Sequence, residues 1–297
     1  MIFFFVEAMS ILHPRVNLLI ACWGGKRRTP DPLYEKDFSY YLKLQAQTLS
    51  RYGDCLAQVT FVSNGGQEPY LSFLRNSPWE SWIKAPVKVL ERQNVGYSNG
   101  AWLAGYQLFP DFDYYIFLED DYVFVCKNFV QCMIEIYESL SSCGYLCSLA
   151  QAETPTVDYP TITRFPAILN GIISSQVLKE FNPASIGANS TMYVEAEHNG
   201  QWHWGFELKK RGFEVYDMGS RYKAPFIDQD GSLKWYYGNA PDFLVVPAQL
   251  YPSIQNLIWE RMSDQEWAWF RQKYLLTYNV FLPDSERWKY ESKIRTG

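Results

Sequence analysis

Tyr114-Tyr115-Ile116-Phe117-Leu118-Glu119-Asp120-Asp121-Tyr122-Val123 runs an apolar, aromatic segment straight into three consecutive carboxylates. Short apolar runs rich in aromatic and β-branched residues read as buried strands. A strand is therefore expected over 114–118, ending where the acids begin. Three like charges at one strand end repel unless a cation sits among them. Hard divalent ions such as Mg²⁺ and Mn²⁺ take oxygen ligands, and phosphate oxygens often complete their shell. Two readings stand side by side: a metal–phosphate site, or a solvated acidic turn of the kind common on protein surfaces.

The chain before this stretch alternates between two periodicities. Residues 16–22 read as a buried strand closed by Trp23-Gly24-Gly25, and a basic, proline-containing loop follows over 26–32. Apolar positions from 38 to 51 fall at helical spacing and stop near Gly53. Further strands are expected over 58–63, ended by Asn64-Gly65-Gly66, and over 87–91, with a helix over 98–108. Strands alternating with helices imply a mostly parallel sheet with crossover connections. Ligands of such sheets bind beyond the carboxyl ends of the strands, where the acidic triplet lies.

Two other strand ends carry suitable chemistry. Gly24 and Gly25 would let a ligand approach the backbone closely. In Arg92-Gln93-Asn94-Val95-Gly96-Tyr97-Ser98-Asn99-Gly100, two glycines flank a helix start with Ser98 as its cap. A helix N-terminus attracts phosphate or carboxylate; the same residues also suit an ordinary glycine-rich turn.

Composition sets the class. At 297 residues the chain has room for one large α/β domain or two small ones. With 47% hydrophobic and 20% charged residues it is globular. A net charge of −5 offers no support for a general nucleic-acid binder. The 11 Trp, 22 Tyr and 19 Phe fill cores or stack on sugar faces. Of six cysteines, only Cys143 and Cys147 are closely spaced, and there are three histidines, so a structural zinc is not expected. A chain of this length needs no disulfide staples, which makes a reducing, cytoplasmic setting the default. Residues 1–12 are apolar but carry Glu7, lack a basic flank and are too short to span a bilayer. A first strand or packed helix is expected there, with weak membrane association left open.

In order and spacing these parts resemble the nucleotide-sugar-dependent glycosyltransferases of the GT-A fold, in the style of the large family 2 group. The resemblance covers about residues 16–125 and, more loosely, 160–225. Residues 18–22 stand where the family's first nucleotide-binding strand lies. Val62-Ser63-Asn64-Gly65-Gly66 resembles its acidic turn after strand two, with Ser63 and Asn64 in place of the acids. Residues 92–100 resemble its Asn-x-Gly element, and Glu119-Asp120-Asp121 its metal-binding DxD-type motif.

The resemblance implies one GT-A (Rossmann-like) α/β domain over 1–297. Its parts would be a nucleotide-sugar-binding half (about 14–125), an acceptor-binding half (126–240) and an aromatic-rich helical C-terminal extension (241–297). It implies that Asp121 ligates Mn²⁺ or Mg²⁺ bridging the phosphates of a nucleoside-diphosphate sugar, as a Lewis acid for the leaving diphosphate. Donor contacts would come from Ala21, Trp23, Asn64 and Arg92, from Asn94 and Asn99, and from Glu119, Asp120 and Gly171. Gly171 belongs to the small-residue stretch 167–175, which reads equally well as a strand-to-helix turn.

A helix is expected over 129–140, a strand over 145–150, a proline-rich acceptor-facing loop over 151–166 and a helix over 255–278. An inverting transfer needs a base within hydrogen-bond reach of the acceptor hydroxyl. The candidates are Glu207, which follows Trp202-His203-Trp204-Gly205, with Glu195, Glu197 and His203. Each is also an ordinary helix-face charge. Trp202 and Trp204 suit a sugar platform or core packing equally. The acceptor would be a glycan or other small hydroxylated molecule; the oligomeric state stays open. Two further readings remain. One is a sugar nucleotidyltransferase, which Gly24-Gly25-Lys26-Arg27-Arg28 would suit. The other is a non-catalytic carbohydrate-binding module, which has no need of the intact acids.

Overall fold

The computed structural model describes residues 13–25, 37–53, 55–124, 129–147, 170–180, 203–217, 223–224 and 245–247. The expected loops over 26–32 and 151–166, the strand or packed helix expected over 1–12 and the helix expected over 255–278 lie outside these residues.

Residues Val16–Cys22 form β1, and all seven are buried. A strand covered on both faces reads as a continuous apolar run rather than an alternating one. Helix α1 (Tyr40–Tyr52) leads to β2 (Gln58–Asn64), also buried throughout. Two short helices follow, α2 (Tyr70–Asn76) and α3 (Trp79–Trp82), before β3 (Val87–Arg92). Helix α4 (Tyr97–Leu108) crosses back to β4 (Tyr114–Glu119), and the acidic turn leads into β5 (Tyr122–Phe124). Next come α5 (Phe129–Ser139) and β6 (Cys143–Cys147), then β7 (Gly171–Ser174) with α6 (Ser175–Lys179). Helix α7 (His203–Lys210), β8 (Glu214–Asp217), β9 (Lys223–Ala224) and β10 (Val245–Pro247) complete the described elements.

Eight strands form one sheet in the order β3-β2-β1-β4-β7-β6-β8-β9. Strands β1 to β4 run parallel, β7 runs against both its neighbours, and β6 and β8 are parallel. This is the mostly parallel α/β sheet flanked by helices that the alternation predicts. Because side chains alternate across a strand, Val16, Leu18 and Ile20 enter one core layer and Leu19 and Ala21 the other. The first layer packs under α1, α2, α3 and α5, and the second under α4, α6 and α7.

Three sequence expectations change. Helix α4 is not capped by Ser98: Gly96, at φ +73°, is its N-cap, and no side-chain cap bond forms. Only glycine adopts that left-handed conformation cheaply. Strand β6 starts two residues earlier than expected, and α2 and α3 occupy a stretch that gave no periodic signal.

Candidate functional site

The chain order turns round between β1 and β4: β2 and β3 extend from one side of β1, and β4 lies on the other. The crevice at such a point is where open α/β sheets bind ligands. Here the two strand ends are tied together. The Trp23 main-chain N–H donates to Asp120 Oδ2 at 3.0 Å, and the Asp120 N–H donates to the Ala21 carbonyl at 3.0 Å. Tyr70 Oη donates to the same Oδ2 at 3.3 Å. Asp120 is 2% exposed, so its carboxylate serves this closure between strands.

Two of the three acids have identified hydrogen-bond donors. Glu119 is the last residue of β4, and Asp120 opens the turn that follows it. Glu119 accepts from Ser98 Oγ at 2.6 Å, and its N–H donates to Asn170 Oδ1 at 2.7 Å. Ser98 therefore serves Glu119 where it was expected to cap α4. Glu119 and Asp120 are thus each engaged by donors. Asp121, half-buried, occupies the turn before β5.

No group of three His, Cys, Asp or Glu side chains that could hold a metal ion occurs among the described residues. A divalent ion at this turn would therefore have to take one protein oxygen, from Asp121, with phosphates and water completing its shell. Mg²⁺ is commonly bound in this way.

The β3–α4 junction supplies a cation. Arg92, directly opposite Asn64 in the β2–β3 register, donates from Nη1 to Asn64 Oδ1 at 2.6 Å and from Nη2 to the Val95 carbonyl at 2.7 Å. Asn64 in turn donates to the Tyr97 carbonyl at 3.0 Å. A Cβ on Gly100 would lie 2.1 Å from the Val95 carbonyl oxygen and 3.0 Å from Nη1, so the glycine makes room for this arrangement. Burial lowers the Arg92 guanidinium from its usual range, yet arginine stays charged in proteins. Arg92 forms no ion pair with a described carboxylate. In the segment that follows β3, the buried oxygens Asn94 Oδ1 and Asn99 Oδ1 have no hydrogen-bond partner among the described residues, nor has Ser63 Oγ at the end of β2.

The glycines after β1 work differently from expectation. A Cβ on Gly24 would strike the Tyr70 ring at 2.3 Å, and one on Gly25 the Trp23 ring at 2.3 Å. The chain's own aromatic rings take the space expected for a ligand. Gly171 pairs with Phe117 on one side and Cys147 on the other. A Cβ there would meet the Leu146 carbonyl oxygen at 2.3 Å and the Tyr145 ring at 2.7 Å. The glycine thus permits close strand packing above Tyr145, whose phenol is raised well above its ordinary value by burial and then by the Cys147 and Glu119 charges.

Of the expected bases, Glu195 and Glu197 lie outside the described residues, and His203 is the first residue of α7. Glu207 is half-buried on α7, with Lys210 Nζ at 3.7 Å and Arg211 Nε at 4.0 Å from its carboxylate. Trp204 is fully buried between Phe117 and Tyr145, with ring centroids at 5.8 and 6.4 Å. It is a core residue and not a sugar platform. Trp202 lies outside the described residues. Sequence reasoning missed Asn170, Tyr70 and Gln45; the polar Gln45 on the apolar stripe of α1 was a readable signal.

No protein-family model and no curated protein matches the chain. Solved structures of similar chain path include a cytidylyltransferase from Leptospira borgpetersenii serovar Hardjo-bovis (strain JB197). It is 12% identical, with a TM-score of 0.41, over 69% of this chain and 76% of that one. A CMP:2-keto-3-deoxy-manno-octonic acid synthetase complexed with CTP is 13% identical, with a TM-score of 0.42, over 73% of this chain and 94% of that one. A mannosyltransferase from Pyrobaculum calidifontis, in complex with GDP-Man and Mn²⁺, is 11% identical, with a TM-score of 0.42, over 74% of this chain and 59% of that one. These likenesses do not decide between sugar transfer and nucleotidyl transfer. No described helix is long and apolar enough to cross a membrane.

Proposed function

We propose that the chain is a metal-dependent glycosyltransferase that moves a sugar from a nucleoside diphosphate to a hydroxyl of a glycan or small acceptor, with inversion. The observation that supports this most is the β3–α4 junction. A half-buried guanidinium forms no ion pair with a described carboxylate there, and Asn94 and Asn99 of the same segment carry buried amide oxygens with no described partner. Buried polar groups are normally satisfied. A nucleotide, which is anionic and bears base and ribose donors, would satisfy both kinds.

In this reading Arg92, Asn94 and Asn99 hold the donor, with Trp23 and Asn64 bordering it. Glu119 and Asp120 fix the strand end that presents Asp121. A divalent ion held by Asp121 would take up negative charge on the leaving diphosphate. The acceptor oxygen attacks the anomeric carbon as the bond from that carbon to the diphosphate breaks. The hydroxyl proton passes to a carboxylate. Glu207 is the candidate base, with Glu195, Glu197 and His203 as the others.

The test is calorimetric titration of UDP, GDP, CDP and dTDP, with Mn²⁺ and with chelator, into the wild type and Asp121→Ala. Tight binding of one diphosphate that needs both metal and Asp121 supports the proposal. Absence of metal-dependent binding would overturn it, as would preference for a triphosphate with pyrophosphate released on adding a sugar phosphate.

A further inference from the structure

We propose that Gln45 is the positioning residue for the Asp121 carboxylate, an inference that rests on the metal-dependent reading above. Gln45 is fully buried and shares its stripe of α1 with Leu42, Ala46 and Leu49, where the helix otherwise presents apolar side chains to the sheet. Its Nε2 donates to the Asp120 carbonyl at 3.2 Å and also to the Tyr122 carbonyl. A side-chain amide has two N–H donors, and these two acceptors use both. They are the carbonyls on either side of Asp121, so one side chain grips the main chain before and after the acid.

The orientation of the amide follows from its partners, since the reverse placement would set Oε1 against two carbonyl oxygens. Oε1 itself is buried with no partner among the described residues. An apolar residue at 45 would avoid that unpaired acceptor, but it would take the Gln45 donor from two carbonyls.

The strands on either side also hold the acid turn. Opposite Tyr122 in β10 stands Pro247, which has no N–H to donate. The Tyr122 carbonyl accepts from Gln45. On the other side, the Asp120 N–H is fixed to Ala21 of β1. Residue 121 is thereby held between a parallel sheet, a helix and a two-stranded ribbon, and Gln45 is the side chain that joins the helix to both flanks.

The experiment uses the full chain with Gln45→Met, nearly isosteric but without donors, and Gln45→Glu, isosteric with the amide donors removed. Each is made alone and in an Asp121→Asn background. Mn²⁺ is titrated in the presence of the same four nucleoside diphosphates. Outer-shell partners of metal ligands commonly contribute about ten- to a hundredfold in metal affinity. Gln45→Met is expected to raise the half-saturating Mn²⁺ concentration about tenfold or more, to leave binding in chelator unchanged, and to add nothing in the Asp121→Asn background. Residues that act through one another are non-additive. An equal loss in both backgrounds, or no loss in either, would overturn the proposal. Hydrogen exchange of peptide 118–124 separates its fate from that of the transferase reading. If the wild type binds no diphosphate with metal, that reading falls alone. Faster exchange at 118–124 in Gln45→Met, with β1 unchanged, still supports the grip, and unchanged exchange there rejects it.

Discussion

The Trp23 main-chain amide and the Asp120 carboxylate meet at 3.0 Å, joining the ends of β1 and β4 by a charge-assisted hydrogen bond. Buried at 2% exposure, this carboxylate is a structural element of the crevice it borders.

Asp120→Ala removes the acceptor shared by the Trp23 N–H and the Tyr70 hydroxyl. Hydrogen bonds to charged groups contribute about 1.5–3 kcal/mol each and two are lost, so a loss of about 3–6 kcal/mol is expected in urea unfolding, with an unchanged m value. Asp120→Asn, which can still present an oxygen to Trp23, should lose less. An unperturbed Asp120→Ala protein would refute the strand-closing role.

Gly100→Ala tests the seat of Arg92. Its Cβ would fall 2.1 Å from the Val95 carbonyl oxygen, a backbone atom with little room to yield. Overpacking of this kind costs about 1–3 kcal/mol and should also displace the guanidinium, so nucleotide affinity falls with stability. At Gly212, with φ +86° and open space around it, alanine should cost only about 1–2 kcal/mol of backbone strain and leave binding intact. Equal effects of the two variants on nucleotide affinity would disprove the seat.

Trp204 separates core from platform. Fully buried against Phe117 and Tyr145, it should lose about 3–5 kcal/mol of stability on Trp204→Ala, read as a lower unfolding midpoint. A stable variant with a selectively raised acceptor KM would return it to the sugar-binding surface.

Alkaline pH tests the core under β6. Burial pushes the Cys143 thiol up from 9.0 to about 12, so the folded chain holds that proton more tightly than the unfolded one. The resulting stability is present below pH 9.0 and is lost as pH rises toward about 12. Burial also raises the Tyr115 and Tyr137 phenols, in the same direction. Urea midpoints should therefore fall above pH 9.0, and Cys143→Ala should lessen the fall. A flat profile, or an identical one in the variant, would contradict this.

The parallel strands were legible because burial on both faces leaves runs rich in apolar and β-branched residues at 16–22, 58–63 and 114–118, with Asn17, Gln58, Thr60 and Ser63 as their polar members. Helix α2 was not, since only Tyr70 and Leu74 of its seven residues are buried and no period emerges. The acidic triplet could be located from sequence, but the division of labour within it could not. That division depends on Ser98, Asn170 and Tyr70, which reach Glu119 and Asp120 from 21, 51 and 50 residues away. The Gln45 grip was further hidden because its acceptors are main-chain carbonyls, which any residue at 120 and 122 would supply.

The β5–β10 ribbon has a consequence for how the chain matures. The side chains proposed to hold the donor and the metal lie within residues 23–121, yet the strand that follows the acid turn finds its partner only at Val245–Pro247. During synthesis from the N-terminus, the first half can close its sheet long before residue 245 leaves the ribosome. The segment after Asp121 lacks that partner for the whole interval. A nascent chain halted before 245 should therefore acquire the β1–β4 sheet before it gains a fully ordered site, which makes arrival of the later segment the event that completes the crevice.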